Sequence, residues 1–264
     1  MARTREGMRK HSYANLTAAF TTADTVIRHK MSTGVEPIDR LLEGGMEFGI
    51  MYLLYGDRAL HDDVLRMAVH AQLPPELGGI STPSIIIDSA NMISIERITD
   101  HSYRLGLEPE EAMDRIYITR AFNSSQTYDL VMNQLEHLFD QVPARLLIVS
   151  GLPNLYLSED ITSEGLQEIT HMASRLMTFT LKRNIVTVVT APASDCNPRL
   201  PAGGRALASY AQIHIHIQES RAYFKYTLAK HPSCPVRRAS RAKEQRSPFT
   251  TFPLSFFLQY EDEE

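Results

Sequence analysis

The stretch 51–69 contains residue types that could form a phosphate-binding loop. An apolar run ends at Gly56, a short polar turn follows, and apolar residues then recur at helical spacing. Such a loop, of the form G-x-x-x-x-G-K-[ST], brings backbone N–H groups and a lysine to the phosphates. Of this pattern only Gly56 is present. The turn carries three aspartates against one arginine and one histidine: Asp57, Asp62, Asp63, Arg58 and His61. It therefore offers net negative charge to a polyphosphate.

Two histidines and two cysteines were considered as metal ligands. His214 and His216 alternate with isoleucines, so they share one face of a predicted strand, but no third ligand is evident and we expect no metal there. Cys196 and Cys234 are too few and too far apart to form a zinc ligand set. We assign the cysteines no role.

Length and composition limit the class of protein. A chain of 264 residues with 43% hydrophobic residues suits one α/β domain or, as the alternative, two small ones. No run of about 18 or more apolar residues and no apolar N-terminal signal region is present, so we expect an intracellular protein without a membrane span. The net charge of −4 argues against a surface that is basic all over. Any contact with nucleic acid should therefore be local.

Short apolar runs alternate with helical patterns along the chain. Strands are predicted at 50–55, 84–88, 116–120, 145–150 and 184–190. Helices are predicted around Ile38 and at 62–71, 95–105, 108–114, 127–141 and 163–182. This order favours a mostly parallel sheet covered on both faces.

Three further strands are predicted towards the end of the chain. Residues 212–218 and 222–229 alternate apolar and polar residues, which predicts one core face and one exposed face. Another strand is predicted at 255–259. Between them lies a basic insertion, 237–246, which is a nuclear address, a DNA contact or a solvated segment.

In this order the motifs resemble those of the core domain of RecA-type strand-exchange recombinases, in particular the archaeal RadA and eukaryotic branch. Six segments between about residues 20 and 259 carry the resemblance: STGVEPIDRLLEGGMEFG, AQLPPELGG, IIIDSANMISIERI, GLEPEEAMDRIYITRAFNSSQ, RLLIVS and PAGGRALASYA. The resemblance implies a RecA-like P-loop NTPase fold, an α/β fold in which helices cover both faces of a mostly parallel central sheet.

A short motif before the core matches the family's oligomerisation linker. From the tetrapeptide FTTA alone, Phe20 either folds back on its own domain or anchors in another subunit. In the family, this type of motif joins one protomer to the next, so the resemblance favours docking through Phe20 and Ala23. We expect four parts: a mobile tail at 1–19, a linker at 20–31, a core at 32–260 and an acidic tail at 261–264. The family's preceding helix-hairpin-helix domain has no counterpart here.

Four parts of the family's ATPase site are altered. The phosphate-binding lysine and Ser/Thr have no counterpart after Gly56, and the loop is about two residues shorter. Asp88 is kept, but Ala90 stands where the family has its catalytic glutamate. Ser150 replaces the aspartate that supports magnesium, and Pro192 replaces a glutamine that senses the terminal phosphate. We therefore expect no ATP or magnesium cofactor and no ATPase activity from this chain alone.

Three arginines match positions with a role in the family. Arg97 corresponds to an arginine beside the adenine, or it pairs on the surface with Glu96 or Asp100. Arg199 and Arg205 belong to the region of the family's second DNA loop, residues 191–204 and just beyond. They contact phosphates of single-stranded DNA, or they lie in a solvated loop.

These observations predict an accessory subunit of homologous recombination and DNA repair. It would bind a RecA-type recombinase or another paralogue and modulate its filament on single-stranded DNA. One alternative is a subunit that lends its edge to a partner's bound ATP in a composite ATPase site. Another is a binding module outside recombination, since fold does not fix function. We expect the nucleus in a eukaryote and the cytoplasm in an archaeon.

Overall fold

The computed structural model describes residues 29–243. The predicted anchors Phe20 and Ala23, the tail 1–19 and the predicted strand 255–259 lie outside these residues, as does most of the linker. The described part contains an eight-stranded sheet in the order β10-β9-β8-β3-β7-β6-β4-β5 and a two-stranded antiparallel sheet, β1-β2. The strands are β1 (Lys30–Met31), β2 (Met46–Glu47), β3 (Met51–Gly56), β4 (Ser84–Asp88), β5 (Ile116–Arg120), β6 (Leu146–Ser150), β7 (Val186–Pro192), β8 (Ile213–Glu219), β9 (Tyr223–Lys230) and β10 (Arg237–Ala242).

Helices cover both faces of the large sheet. They are α1 (Glu36–Leu41), α2 (Leu60–His70), α3 (Ile95–Arg104), α4 (Pro109–Asp114), α5 (Ser124–Asp129), α6 (Leu135–Gln141), α7 (Asn154–Ser158), α8 (Ser163–Arg183) and α9 (Gly204–Tyr210). Strands β8, β3, β7, β6, β4 and β5 pair in parallel, whereas β8-β9 and β9-β10 are antiparallel. The predicted α/β fold with a mostly parallel sheet is confirmed.

The central strands are apolar throughout because both of their faces are buried. Along β3, Tyr52 and Leu54 face one hydrophobic core, which also contains the apolar side of α2. Met51, Leu53 and Tyr55 face the other, which is built on α8. The two cores fix the strand register, and with it the edge at which the loops of the candidate site meet.

Some elements differ from the prediction. The helix predicted at 127–141 begins earlier, at Ser124, because the Asn123 side chain caps it by accepting a 2.8 Å hydrogen bond from the Gln126 N–H. A π-helical segment, Leu130–Gln134, separates α5 from α6. The short helices α7 and α9 were not predicted, since each has too few residues for a periodic signal.

The basic insertion predicted at 237–246 is largely a strand. Residues 237–242 form β10, which pairs with β9 along its whole length. Alternation places Ala239 in the core and brings Arg237 and Arg241 to carboxylates on the same side of the sheet. The high charge concealed this strand in the sequence, because two of its inward residues are arginines that pair with carboxylates: Arg237 with the exposed Glu43 and Arg241 with the buried Asp63.

The prediction that β8 exposes one face is wrong. His214 and His216 are only 6% and 7% exposed. The Tyr55 ring stacks on His216 at 4.7 Å between centroids and meets His214 edge-on at 6.5 Å. Both faces of β8 are therefore covered: its isoleucines lie in one hydrophobic core, and its histidines pack against Tyr55 of the other.

Two features of the described residues bear on ligands and membranes. Within 29–243, no group of three or more His, Cys, Asp or Glu side chains is placed to hold a metal ion. Across the same residues, no helix is both long and apolar enough to span a bilayer.

Acid should destabilise this protein through His214. Burial, and next Lys230, lower the pKa of His214 to about 4. The unfolded chain therefore binds a proton at this histidine more readily than the folded protein does. The free energy of unfolding is highest above the ordinary histidine pKa and decreases as pH falls from about 6.5 to 4. We expect a loss of about 3 kcal/mol over this range that His214→Leu lacks. Urea unfolding at several pH values measures the slope. The exposed His171→Gln is the control, and an equal slope in His214→Leu would contradict the assignment.

Candidate functional site

A cleft of about 440 Å³ lies at the carboxyl ends of the central strands. This edge is the usual place for a ligand in an open α/β sheet. Gly56 pairs with Pro192 across β3 and β7, and Asp88 pairs with Ser150 across β4 and β6. The fold therefore brings five of the predicted nucleotide-site residues together at this edge, whereas Asp62, Asp63 and Arg97 do not line the cleft. Gly56, Ala90 and Pro192 line the cleft, whereas Asp88 and Ser150 are buried at the neighbouring strand ends.

The turn between β3 and α2 is short and closed by its own hydrogen bonds. Three residues separate the strand from the helix. The N–H groups at the start of α2 donate to carbonyls of the turn itself: Leu60 to Asp57 (3.1 Å), His61 to Arg58 (3.0 Å) and Asp62 to Ala59 (3.2 Å). A phosphate-binding helix start keeps such N–H groups free for its ligand. Here they are already bonded.

Gly56 serves the strand packing at this turn. Its φ is +128°, and a Cβ on it would lie 2.0 Å from the Ile217 carbonyl oxygen of β8. The next N–H, of Asp57, donates to that same carbonyl at 3.0 Å. The glycine that the phosphate-loop pattern shares with this chain is thus required for the close approach of β3 to β8.

The residues that replace the ATPase groups do not match the donors that a magnesium nucleotide needs. Asp88 is fully buried and accepts the N–H groups of Ala90 (3.2 Å) and Met92 (3.1 Å), with Arg120 Nη2 at 3.5 Å. Ala90 presents only a methyl group. The Ser150 Oγ is buried and has no hydrogen-bond partner among the described residues. Asp88, which pairs with Ser150 across β4 and β6, therefore already has an arginine as its partner.

Arg97 contacts a residue that the sequence did not suggest. Its Nη1 lies 3.9 Å from Asp62 Oδ1, across the contact between α2 and α3. His101 Nε2 lies 3.0 Å from the same oxygen. Burial acts to raise the pKa of Asp62, but the His101 hydrogen bond and the nearby cations outweigh it and hold the pKa below its usual range.

Three polar residues that line the cleft were missed by reasoning from the sequence: Asn91, Asn154 and Thr190. Arg58 and His61, which the sequence places in the polar turn, line the cleft as well. Asn91 and Thr190 lie at or just after predicted strands, which is a usable signal. Asn154 comes from α7, which the sequence did not reveal. Burial lowers the pKa of His61, so the cleft carries little positive charge beyond the exposed Arg58.

The two candidate DNA-contacting arginines are exposed on the loop after β7. Arg199 extends from a segment closed by the Ala193–Pro201 bridge, and its carbonyl accepts a 2.8 Å hydrogen bond from the Tyr55 hydroxyl. Arg205 lies in the first turn of α9. Within the described residues neither forms an ion pair, so both remain candidates for phosphate contact.

Comparison with protein families agrees with this architecture. The family model described as Rad51 matches residues 24–243, which includes every strand of the large sheet and all four ends that form the cleft. The match confirms the predicted relation to RecA-type recombinases and carries with it the family's general role in DNA recombination and repair. The chain belongs to the Rad51 family.

Proposed function

We propose that this chain is a Rad51-family paralogue without an ATPase of its own. It acts as an accessory subunit in homologous recombination by binding a RecA-type recombinase or another paralogue and modulating its filament on single-stranded DNA. The observation that carries the proposal is the cleft, which keeps the strand ends of a nucleotide site while its turn is closed and acidic.

The chemistry of phosphoryl transfer supports an inactive site. Catalysis of this reaction depends on positioning and on cations that stabilise the transferred group. Loss of a single preorganised donor typically lowers kcat by about 10²–10³-fold. Here the lysine and the carboxylates at Ala90 and Ser150 are missing together, and a methyl group cannot orient or deprotonate water.

Two features of the chain suit contacts with partners. One is the Phe20–Ala23 motif, which would anchor in the neighbouring subunit. The other is the β5 edge, where the strand pairs only with β4 among the described residues. It carries exposed Tyr117 (47%), Ile118 (43%) and Phe122 (75%). An unpaired strand edge with apolar side chains is the usual substrate for addition of a partner strand.

Phe20→Glu should abolish binding to the partner recombinase or paralogue. Loss of a buried aromatic anchor typically costs about 2 kcal/mol or more, which is about a 30-fold weaker complex. Pull-down and titration with the co-purified partner measure the change. Thr21→Glu, which introduces the same charge between the two proposed anchors, is the matched control. Binding of Phe20→Glu at wild-type strength would refute docking through this motif.

The nucleotide content of the purified complex tests the proposal that this chain has no ATPase site of its own. We expect nucleotide in proportion to the partner subunits and none retained by this chain alone. ATP bound to the isolated chain would contradict it. A rise in the partner's hydrolysis rate when this chain is added would instead favour the composite-site alternative.

A further inference from the structure

The three aspartates of the turn that begins α2 each hold a different neighbouring element. We define residues 57–63 as the acidic turn. Asp57 Oδ2 accepts a 2.7 Å hydrogen bond from the Glu219 N–H at the end of β8. Asp62 contacts His101 and Arg97 of α3. Asp63 reaches the antiparallel strands β9 and β10. The carboxylates thus join one turn to four elements.

Asp63 makes the most deeply buried of these contacts. The carboxylate is fully buried, and each of its oxygens has a partner: Tyr226 donates to Oδ2 at 2.9 Å, and Arg241 Nη2 lies 3.1 Å from Oδ1. Arg66, one turn further along α2, adds positive charge near this pair and has a buried Nε without a hydrogen-bond partner in the described residues. The helix start is therefore fixed to the sheet by charge-assisted hydrogen bonds.

These contacts stabilise the turn, as a bound anion stabilises a phosphate-binding loop. There the negative charge belongs to the ligand, and its binding stabilises the loop. Here the negative charge belongs to the chain and sits on the other side of the turn, towards β8–β10 and α3. The Leu60, His61 and Asp62 N–H groups are bonded within the turn at the same time.

We infer that the acidic turn is a built-in conformational clamp. It holds α2, α3 and the β8–β10 strands in one arrangement whether or not nucleotide is present. The protein therefore presents a constant surface to its neighbours while an ATP-dependent partner changes state. This inference goes beyond the proposed function, because it concerns the isolated chain and needs no partner.

Hydrogen exchange of the full-length protein tests the clamp. In wild type, exchange of the Leu60, His61, Asp62 and Glu219 amides should be unchanged by ATP and Mg²⁺. Asp57→Ala removes the acceptor for the Glu219 N–H and should speed exchange of these amides by about fivefold, the value of one hydrogen bond. Asp57→Asn keeps an acceptor oxygen and should exchange like wild type. Glu110→Ala, an exposed site on α4, is the control for a general effect.

The outcomes separate this inference from the proposed function. Equal exchange in Asp57→Ala and wild type would overturn the clamp and leave the absence of an ATPase untouched. Slower exchange in wild type on addition of ATP and Mg²⁺ would overturn both. Faster exchange in Asp57→Ala but not in Asp57→Asn, without any response to nucleotide, is the expected result. Since both variants change the same exposed residue, the pair stays informative even if variants at buried Asp63 fail to fold.

Discussion

Gly56→Ala is expected to destabilise the protein by about 4 kcal/mol or more. The new methyl group would lie 2.0 Å from the Ile217 carbonyl oxygen, and the backbone at φ +128° is strained for any L-residue with a side chain. Backbone strain and overpacking each contribute about 1–3 kcal/mol, and neither β3 nor β8 can move without breaking the parallel pairing. Equilibrium urea unfolding measures the difference.

Gly44→Ala is the matched control for this prediction. Its φ is also positive, at +113°, but nothing lies within 4 Å of its added Cβ. We expect a cost of about 1 kcal/mol there, from the backbone conformation alone. If the two variants were equally stable, Gly56 would not be needed for the approach of β3 to β8, and its presence would point back to phosphate binding.

Arg241→Met should cost about 3 kcal/mol at pH 8, because it leaves Asp63 buried without its cation. Burial already raises the pKa of Asp63 to about 6. A raised carboxylate pKa means that stability is complete at low pH and is lost as pH rises through the folded pKa. Removal of the arginine raises that pKa further. The cost of Arg241→Met should therefore be smaller at pH 5 than at pH 8.

Replacement of all three polar side chains, Asp63, Tyr226 and Arg241, should destabilise the protein less than replacement of Arg241 alone. The triple variant Asp63→Leu, Tyr226→Phe, Arg241→Met leaves no buried polar atom of this set without a partner, so we expect it to recover most of the stability lost in Arg241→Met. Urea unfolding at both pH values compares the three proteins. A triple variant less stable than Arg241→Met would contradict this expectation.

Sequence patterns predicted the parallel part of the sheet well because each central strand is a short apolar run. Strands β4 and β5 begin and end at the predicted residues. The antiparallel part was harder to predict, since β10 is rich in arginine and the histidines of β8 are polar residues covered on a buried face. Burial of a polar residue depends on its neighbours in space, which periodicity along the chain does not record.

The sequence by itself determined the family, the order of the elements and the lack of a phosphate-binding lysine, because each is a property of residue identity and spacing. It could not decide what the acidic turn does. The partners of Asp57 and Asp63 lie 162, 163 and 178 residues away in the chain, and only the tertiary structure brings them together. From the sequence alone, these aspartates indicate only that the turn would repel a polyphosphate. In the fold they are the charges that hold the turn closed, because long-range strand order places a backbone N–H, a tyrosine and an arginine around them.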